Sequence, residues 1–169
     1  MVEWTGARYA DTPTVEVRTW IGAPPERVWE LVSDVARMAE FSDELRSAAW
    51  LDGATGPAVG ARFTGRNSNE ARGEWTTTSR VVECEPARVL AWDVDGDGRP
   101  GASWRFRLEP RDGGTALTQW FRMGPGRSGL SQAIERMPDK EQKIVFVRLR
   151  DLERAMTDTV GRIKARAES

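Results

Sequence analysis

The chain contains no histidine. That absence removes Ser-His-Asp and Cys-His relays, imidazole acid–base catalysis and most zinc or non-haem iron sites. Cysteine occurs once, at Cys84, so no intramolecular disulfide can form, which suits a reducing compartment. Within an apolar, strand-like run, Cys84 reads as a small buried hydrophobe. Lysine is confined to Lys140, Lys143 and Lys164, and the 25 basic residues offset 26 acidic ones to a net charge of -1. Nothing in that balance attracts nucleic acid or an anionic membrane. No apolar run is long enough to span a bilayer. The opening MVEWTGARYADTP has neither a basic nor a hydrophobic leader segment. No stable membrane insertion and a cytoplasmic location are therefore expected. Tyrosine occurs once, at Tyr9, inside residues 1–13, which read as a loose N-terminal arm.

What remains is one domain of 169 residues with an ordinary apolar fraction and an unusual eight tryptophans. Val15, Val17, Thr19 and Ile21 alternate with Glu16, Arg18 and Trp20, the pattern of a half-buried strand. IGAPPERVWELVSD follows. Pro24 and Pro25 suit the first helical positions, where a missing amide hydrogen costs nothing. Glu26 favours the dipole of the first turn, and Val28, Leu31, Val32 and Val35 recur at helical spacing. VARMAEF reads as a second short helix after a break at Asp34. Six strand-like runs with turn punctuation come next: LRSAAWL, ARFTGRN, EWTTTSRVVECE, RVLAWDV, ASWRFRLEP and TALTQWFRM. The RDGG between the last two is a hairpin signal. The period then changes. Val145, Leu149, Leu152, Met156, Val160 and Ile163 form one apolar stripe on a helix from about Asp139 to Ala167.

This order predicts an α+β domain: a seven-stranded antiparallel sheet, two short helices between its first two strands, and a long C-terminal helix covering the apolar face. DGDGRPG lacks the twelfth-position carboxylate of a calcium loop and reads as a hairpin turn; no metal site is expected. GPGRSG lacks the ending of a phosphate loop and reads as a flexible joint before the long helix, placed to gate a pocket mouth.

The segments IGAPPERVWELVSD, VGARFTGRN, EWTTTSRVVECEPARVLAWDV and WRFRLEPRDGGTALTQWF, with GPG after the last, carry a resemblance. In that order, from Val15 to Ile163, the chain resembles the START/Bet v 1-like superfamily in its polyketide cyclase/dehydrase-like branch. The resemblance implies a helix-grip fold, with a curved sheet wrapped on the long helix and a cavity between them. Members of that fold bind lipids, sterols, polyketides or plant hormones; some are aromatases or cyclases, and others carry ligands or chaperone proteins.

Strand alternation nominates the concave face. Trp92 shares a face with Leu90 and Val94, Trp104 with Phe106 and Leu108, Phe63 with Gly65 and Asn67, and Gln119 with Leu117, Phe121 and Met123. Trp75 and Thr77 lie on another strand, and Leu149, Leu152 and Met156 on the helix stripe. These rows read either as an aromatic-lined pocket or as plain core. Asn67, Thr77 and Gln119 are polar among apolar neighbours and need partners, which a ligand or the protein itself could supply. Gly65 marks either a close approach or a bulge. Arg66, Glu74, Arg80, Asp93 and Arg105 are the charged candidates for acid–base work, with Arg105 and Arg107 reading as a solvated face.

The function expected first is binding of a small hydrophobic molecule of lipid, polyketide or isoprenoid type, without a cofactor, by a monomer or homodimer. The alternatives are a polyketide cyclase or aromatase, in which pocket groups direct an aldol closure, and a protein-interaction or chaperone-associated module. Catalytic residues are not assigned.

Overall fold

A computed structural model describes residues 1–169. Seven antiparallel strands form one sheet: β1 (Thr14–Ile21), β2 (Leu45–Trp50), β3 (Arg62–Asn69), β4 (Gly73–Glu85), β5 (Val89–Val94), β6 (Ala102–Arg111) and β7 (Gly114–Met123). Their order across the sheet is β1-β7-β6-β5-β4-β3-β2, so the first two strands in the chain are the two edges. Four α-helices complete the fold: α1 (Pro25–Val32), α2 (Met38–Phe41), α3 (Gly129–Arg136) and α4 (Glu141–Ala167). At 27 residues α4 is about 40 Å long.

The proline pair is the seam between β1 and α1. Pro24 is the N-cap with extended backbone, and Pro25 opens the helix. Val28, Leu31 and Val32 are buried, and Ser33 ends the helix by donating to the Trp29 carbonyl at 2.6 Å. Asp34 then accepts from the Ala36 amide and starts the turn leading to α2. The seam is anchored from two sides. The buried Thr115 hydroxyl donates to the Ala23 carbonyl at 2.8 Å, and the Gly22 amide donates to the Glu168 carboxylate at 2.7 Å. The RDGG hairpin forms as its sequence demands, with Asp112 and Gly113 at φ 50° and 76° between the paired Arg111 and Gly114.

Curvature comes from two register shifts. One lies between Val81 and Glu83 on β4, leaving Val82 outside the ladder, and one between Leu45 and Ser47 on β2. Each inserts an extra residue and bends its strand. The Val81–Glu83 irregularity also leaves Cys84 partly buried against the main core, where burial pushes its thiol pKa up.

The apolar interior divides into two clusters. One gathers α1, α2, the middle strands and the end of α4 around Leu31, Phe63, Trp92, Phe106 and Ile163. The other gathers Val15, Phe121, Met123, Val145, Leu149, Leu152 and Met156. Trp104 packs against both.

Two expectations fail. Residues 1–13 are not a loose arm. The Val2 and Tyr9 amides donate to Glu153 and Glu141 on α4, and Trp4 packs edge-on to Phe146 at 5.4 Å. The Tyr9 hydroxyl lies 2.6 Å from the Gly126 carbonyl and 2.9 Å from Ser128 Oγ. These polar and aromatic contacts outweigh the arm's lack of apolar periodicity. The segment after GPGRSG is not simply a joint either, because Gly129–Arg136 is helical. Its Leu130 and Ile134, one turn apart, pack on the second cluster.

Candidate ligand-binding cavity

Between the sheet and α4, where the two clusters meet, lies a cavity of about 500 Å³. Its existence follows from side-chain size. On the sheet it is lined by Gly65, Thr77 and Ser79, and on α4 by Ala155 and Thr159 between the larger Leu152 and Ile163. Small residues on both sides leave a gap that close packing fills elsewhere. A Cβ at Gly65 would stand 3.1 Å from Leu45 Cδ1 and 3.3 Å from Thr77 Oγ1, so a side chain there would have to push these neighbours aside. No register shift occurs at Gly65, so of the two readings it is the close approach that holds.

The walls are aromatic. Trp92 stands at the centre of a run of rings, 5.8 Å from Phe63, 6.0 Å from Phe106 and 6.5 Å from Trp104, which in turn is 4.8 Å from Phe121. Of the twelve residues nominated from sequence, eleven line the cavity: Phe63, Asn67, Trp75, Thr77, Trp92, Trp104, Phe106, Gln119, Phe121, Leu152 and Met156. Leu149 does not. It is buried in the second cluster with Val145 and Met123, because a 40 Å helix outruns the cavity and its stripe also serves solid core.

The nominated polar residues differ in how they are satisfied. Asn67 Nδ2 donates weakly to the Gly65 carbonyl at 3.4 Å. Gln119 is 7% exposed, and its Oε1 is fully buried with no partner in the chain. None of the nominated charged residues lines the cavity. Asp93 accepts from Ser103 Oγ at 2.8 Å, Arg80 donates to the Gly60 carbonyl, and Arg105 lies over Trp120 on the outer face.

The charges that line the cavity are different ones: Glu44, Arg72, Asp95 and Arg148. Arg148 on α4 donates through both terminal nitrogens to Glu44, at 2.9 and 3.1 Å. Asn69 donates to the same carboxylate at 2.9 Å. Burial pushes the Glu44 carboxyl up, but Arg148, Asn69 and the charge of Arg72 together hold it below the usual carboxylate range. The guanidinium carbon of Arg72, from the β3–β4 hairpin, lies 3.9 Å from the centre of the Trp75 ring, and its Nη2 rests against Gly129 at the start of α3, where a side chain would displace it. Partial burial and the like charge of Arg148 lower its pKa, against the opposite pull of Glu44. Sequence reading missed this cluster. Its members are far apart in the chain, and each alone has the look of a solvated charge. Glu44, Arg72 and Arg148 line the cavity and retain some exposure, so they form its rim, with Asn69 behind Glu44, while Gln119 lies inside. No three His, Cys, Asp or Glu side chains gather to hold a metal ion.

A curved antiparallel sheet gripping a long C-terminal helix over an aromatic-lined cavity defines a helix-grip protein of the START/Bet v 1-like class. Residues 12–168 match the family described as polyketide cyclase/dehydrase and lipid transport, and the chain belongs to that family. A polyketide-cyclase-like protein from Corynebacterium glutamicum, solved in solution, is 34% identical over 89% of this chain and 88% of its own, with a TM-score of 0.63. The Zhui aromatase/cyclase from a Streptomyces species shares the fold at 22% identity, 93% and 94% coverage and a TM-score of 0.69. The di-domain aromatase/cyclase StfQ of steffimycin biosynthesis shares it at 14% identity over 92% of this chain and 50% of its own, with a TM-score of 0.71. Comparison with curated proteins gives no match. No helix is long and apolar enough to cross a membrane.

Proposed function

We propose that this protein binds a small, largely apolar molecule of lipid, polyketide or isoprenoid type in the cavity between the sheet and α4. The observation that carries this reading is the cavity itself: about 500 Å³, walled by stacked and edge-on aromatic rings, with an unpartnered amide oxygen at Gln119. That volume lies within the range of small-molecule sites, roughly 300–1,000 Å³. Rings left facing a void forgo dispersion contacts that a flat or chain-like ligand would supply.

A cyclase or aromatase reading draws on the family and on the aromatase/cyclase likenesses. The groups available make binding without transformation the better reading. Of the two carboxylates that line the cavity, Glu44 and Asp95, Glu44 is tied bidentately to Arg148 and holds its charge, which makes it a weak base. The single tyrosine spends its hydroxyl on Gly126 and Ser128.

The test is native mass spectrometry on protein purified from its own host, followed by extraction and identification of bound material. A co-purifying polyketide, fatty acid or isoprenoid is the expected result. Tryptophan-fluorescence titration with such compounds gives the second readout, and Asn67→Ala and Gln119→Ala should change ligand selectivity with little change in melting temperature. An empty protein whose fluorescence none of these compounds quenches would refute the binding reading and favour a protein partner.

A further inference from the structure

We propose that the ligand of this cavity is an apolar acid, with its anionic group held at the rim by Arg72 and a hydrogen-bonding group at its other end met by the amide of Gln119. The inference rests on the cavity-binding reading above and names the chemistry of the molecule bound.

The rim supplies the first argument. Glu44 and Arg148 neutralise each other through two parallel hydrogen bonds. Arg72 is left over. It makes no ion pair and its guanidinium donates no hydrogen bond, yet it is held over the Trp75 ring at 3.9 Å. A guanidinium fixed as a plane offers a fork of donors that matches a carboxylate or phosphate. Its position sharpens the case. It rests against Gly129, the first residue of the eight-residue α3, where the helix dipole is positive. A cation there is next to a field of its own sign. An anion at this point satisfies the guanidinium and lies on the favourable side of the helix dipole.

The interior supplies the second argument independently. Gln119 is 7% exposed, and its Oε1 is fully buried without a hydrogen-bond partner in the chain. A buried carbonyl oxygen without a donor is costly, and a ligand hydroxyl there would relieve it. Gln119 lies on β7 and Arg72 at the β3–β4 turn, three strand intervals apart, so at least roughly 14 Å separates them across the sheet. The lining between them is mainly aromatic and aliphatic. A wholly neutral ligand would leave Arg72 covered and unpaired, so the site discriminates against it.

The test uses four probes of one chain length: dodecanoate, methyl dodecanoate, dodecyl phosphate and ω-hydroxydodecanoate. Each is titrated into the full chain by intrinsic tryptophan fluorescence and by calorimetry. Both simple anions should bind at least about tenfold more tightly than the ester, the scale of a charge-assisted hydrogen bond. The tighter of the two anions identifies the head group as carboxylate or phosphate. The preference should vanish in Arg72→Gln, an exposed and unpaired position whose replacement leaves the fold intact by circular dichroism. The ω-hydroxyl should add affinity in the wild type and none in Gln119→Leu. Equal binding of acid and ester, or an acid preference that survives Arg72→Gln, overturns the proposal while leaving cavity binding standing. A hydroxyl that adds nothing to the wild type overturns the part assigned to Gln119. If none of the four binds saturably, the acid assignment falls, and the cavity-binding reading is decided by the mass-spectrometric test above.

Discussion

Replacing Trp92 with alanine removes the ring on which the cavity wall is organised. Trp92 is 8% exposed and touches Phe63 edge-on, Phe106 at a tilt and Trp104 in parallel. In a solid core such a truncation costs about 3–5 kcal/mol. Here one side of the residue already borders a void, so part of the contact shell of a core tryptophan was never made. The expected loss is therefore at the low end, about 3 kcal/mol. For a domain of this size that corresponds to a fall in melting temperature of roughly 6–12 °C. Equilibrium urea unfolding followed by far-ultraviolet circular dichroism measures it, since fluorescence is altered by the substitution itself. Trp120→Ala is the control. That ring is on the outer face, half-buried under Arg105 at 4.8 Å, and should cost only about 1 kcal/mol. A loss for Trp92→Ala no greater than the control's would refute the packing argument. A loss above about 5 kcal/mol would show that no void lies beside it.

Three further outcomes are expected. Leu149→Ala should cost about 3 kcal/mol by urea titration and leave ligand titrations unchanged, because Leu149 packs in the second cluster and not on the cavity. Tyr9→Phe should cost about 1 kcal/mol and speed amide exchange between Gly124 and Leu130, since the lost hydroxyl bridges Gly126 and Ser128; unchanged exchange would show that the arm does not hold that loop. Glu44 has a folded pKa below its ordinary value of 4.5, so its contribution is fully present above that value and fades as pH falls through the folded pKa. Glu44→Gln should therefore cost about 1–3 kcal/mol at neutral pH and progressively less in acid, and a pH-independent difference would contradict the pairing with Arg148.

The strands and the cavity walls were legible because strand alternation has a period of two and turn residues mark its phase. Once Trp92 and Phe106 were assigned a face, their neighbours followed. Helix α3 was not legible. It buries no residue fully, and Leu130 and Ile134 are a weak signal after a glycine-rich stretch. The helix stripe of α4 could not say which of its turns meets core and which meets cavity, so Leu149 was assigned with Leu152 and Met156. That distinction depends on the small Ala155 and Thr159 and on what faces them across the gap. The rim was hidden for a different reason. Glu44, Arg72 and Arg148 meet only because the fold brings a corner, a hairpin tip and a helix together, and no local period records that.

The edge position of β1 has a consequence for biosynthesis. β2 through β7 are joined one to the next in sequence order and can zip up as each emerges. β1 cannot. Its partner is β7, with Val15 opposite Phe121, and its cover is α4. A ribosome therefore releases β1 first and gives it a partner almost last. For most of synthesis the strand that carries Val15, Val17 and Ile21 has an unpaired backbone and an uncovered apolar face. That interval is when this chain is most exposed to wrong pairing, and it closes only when α4 docks.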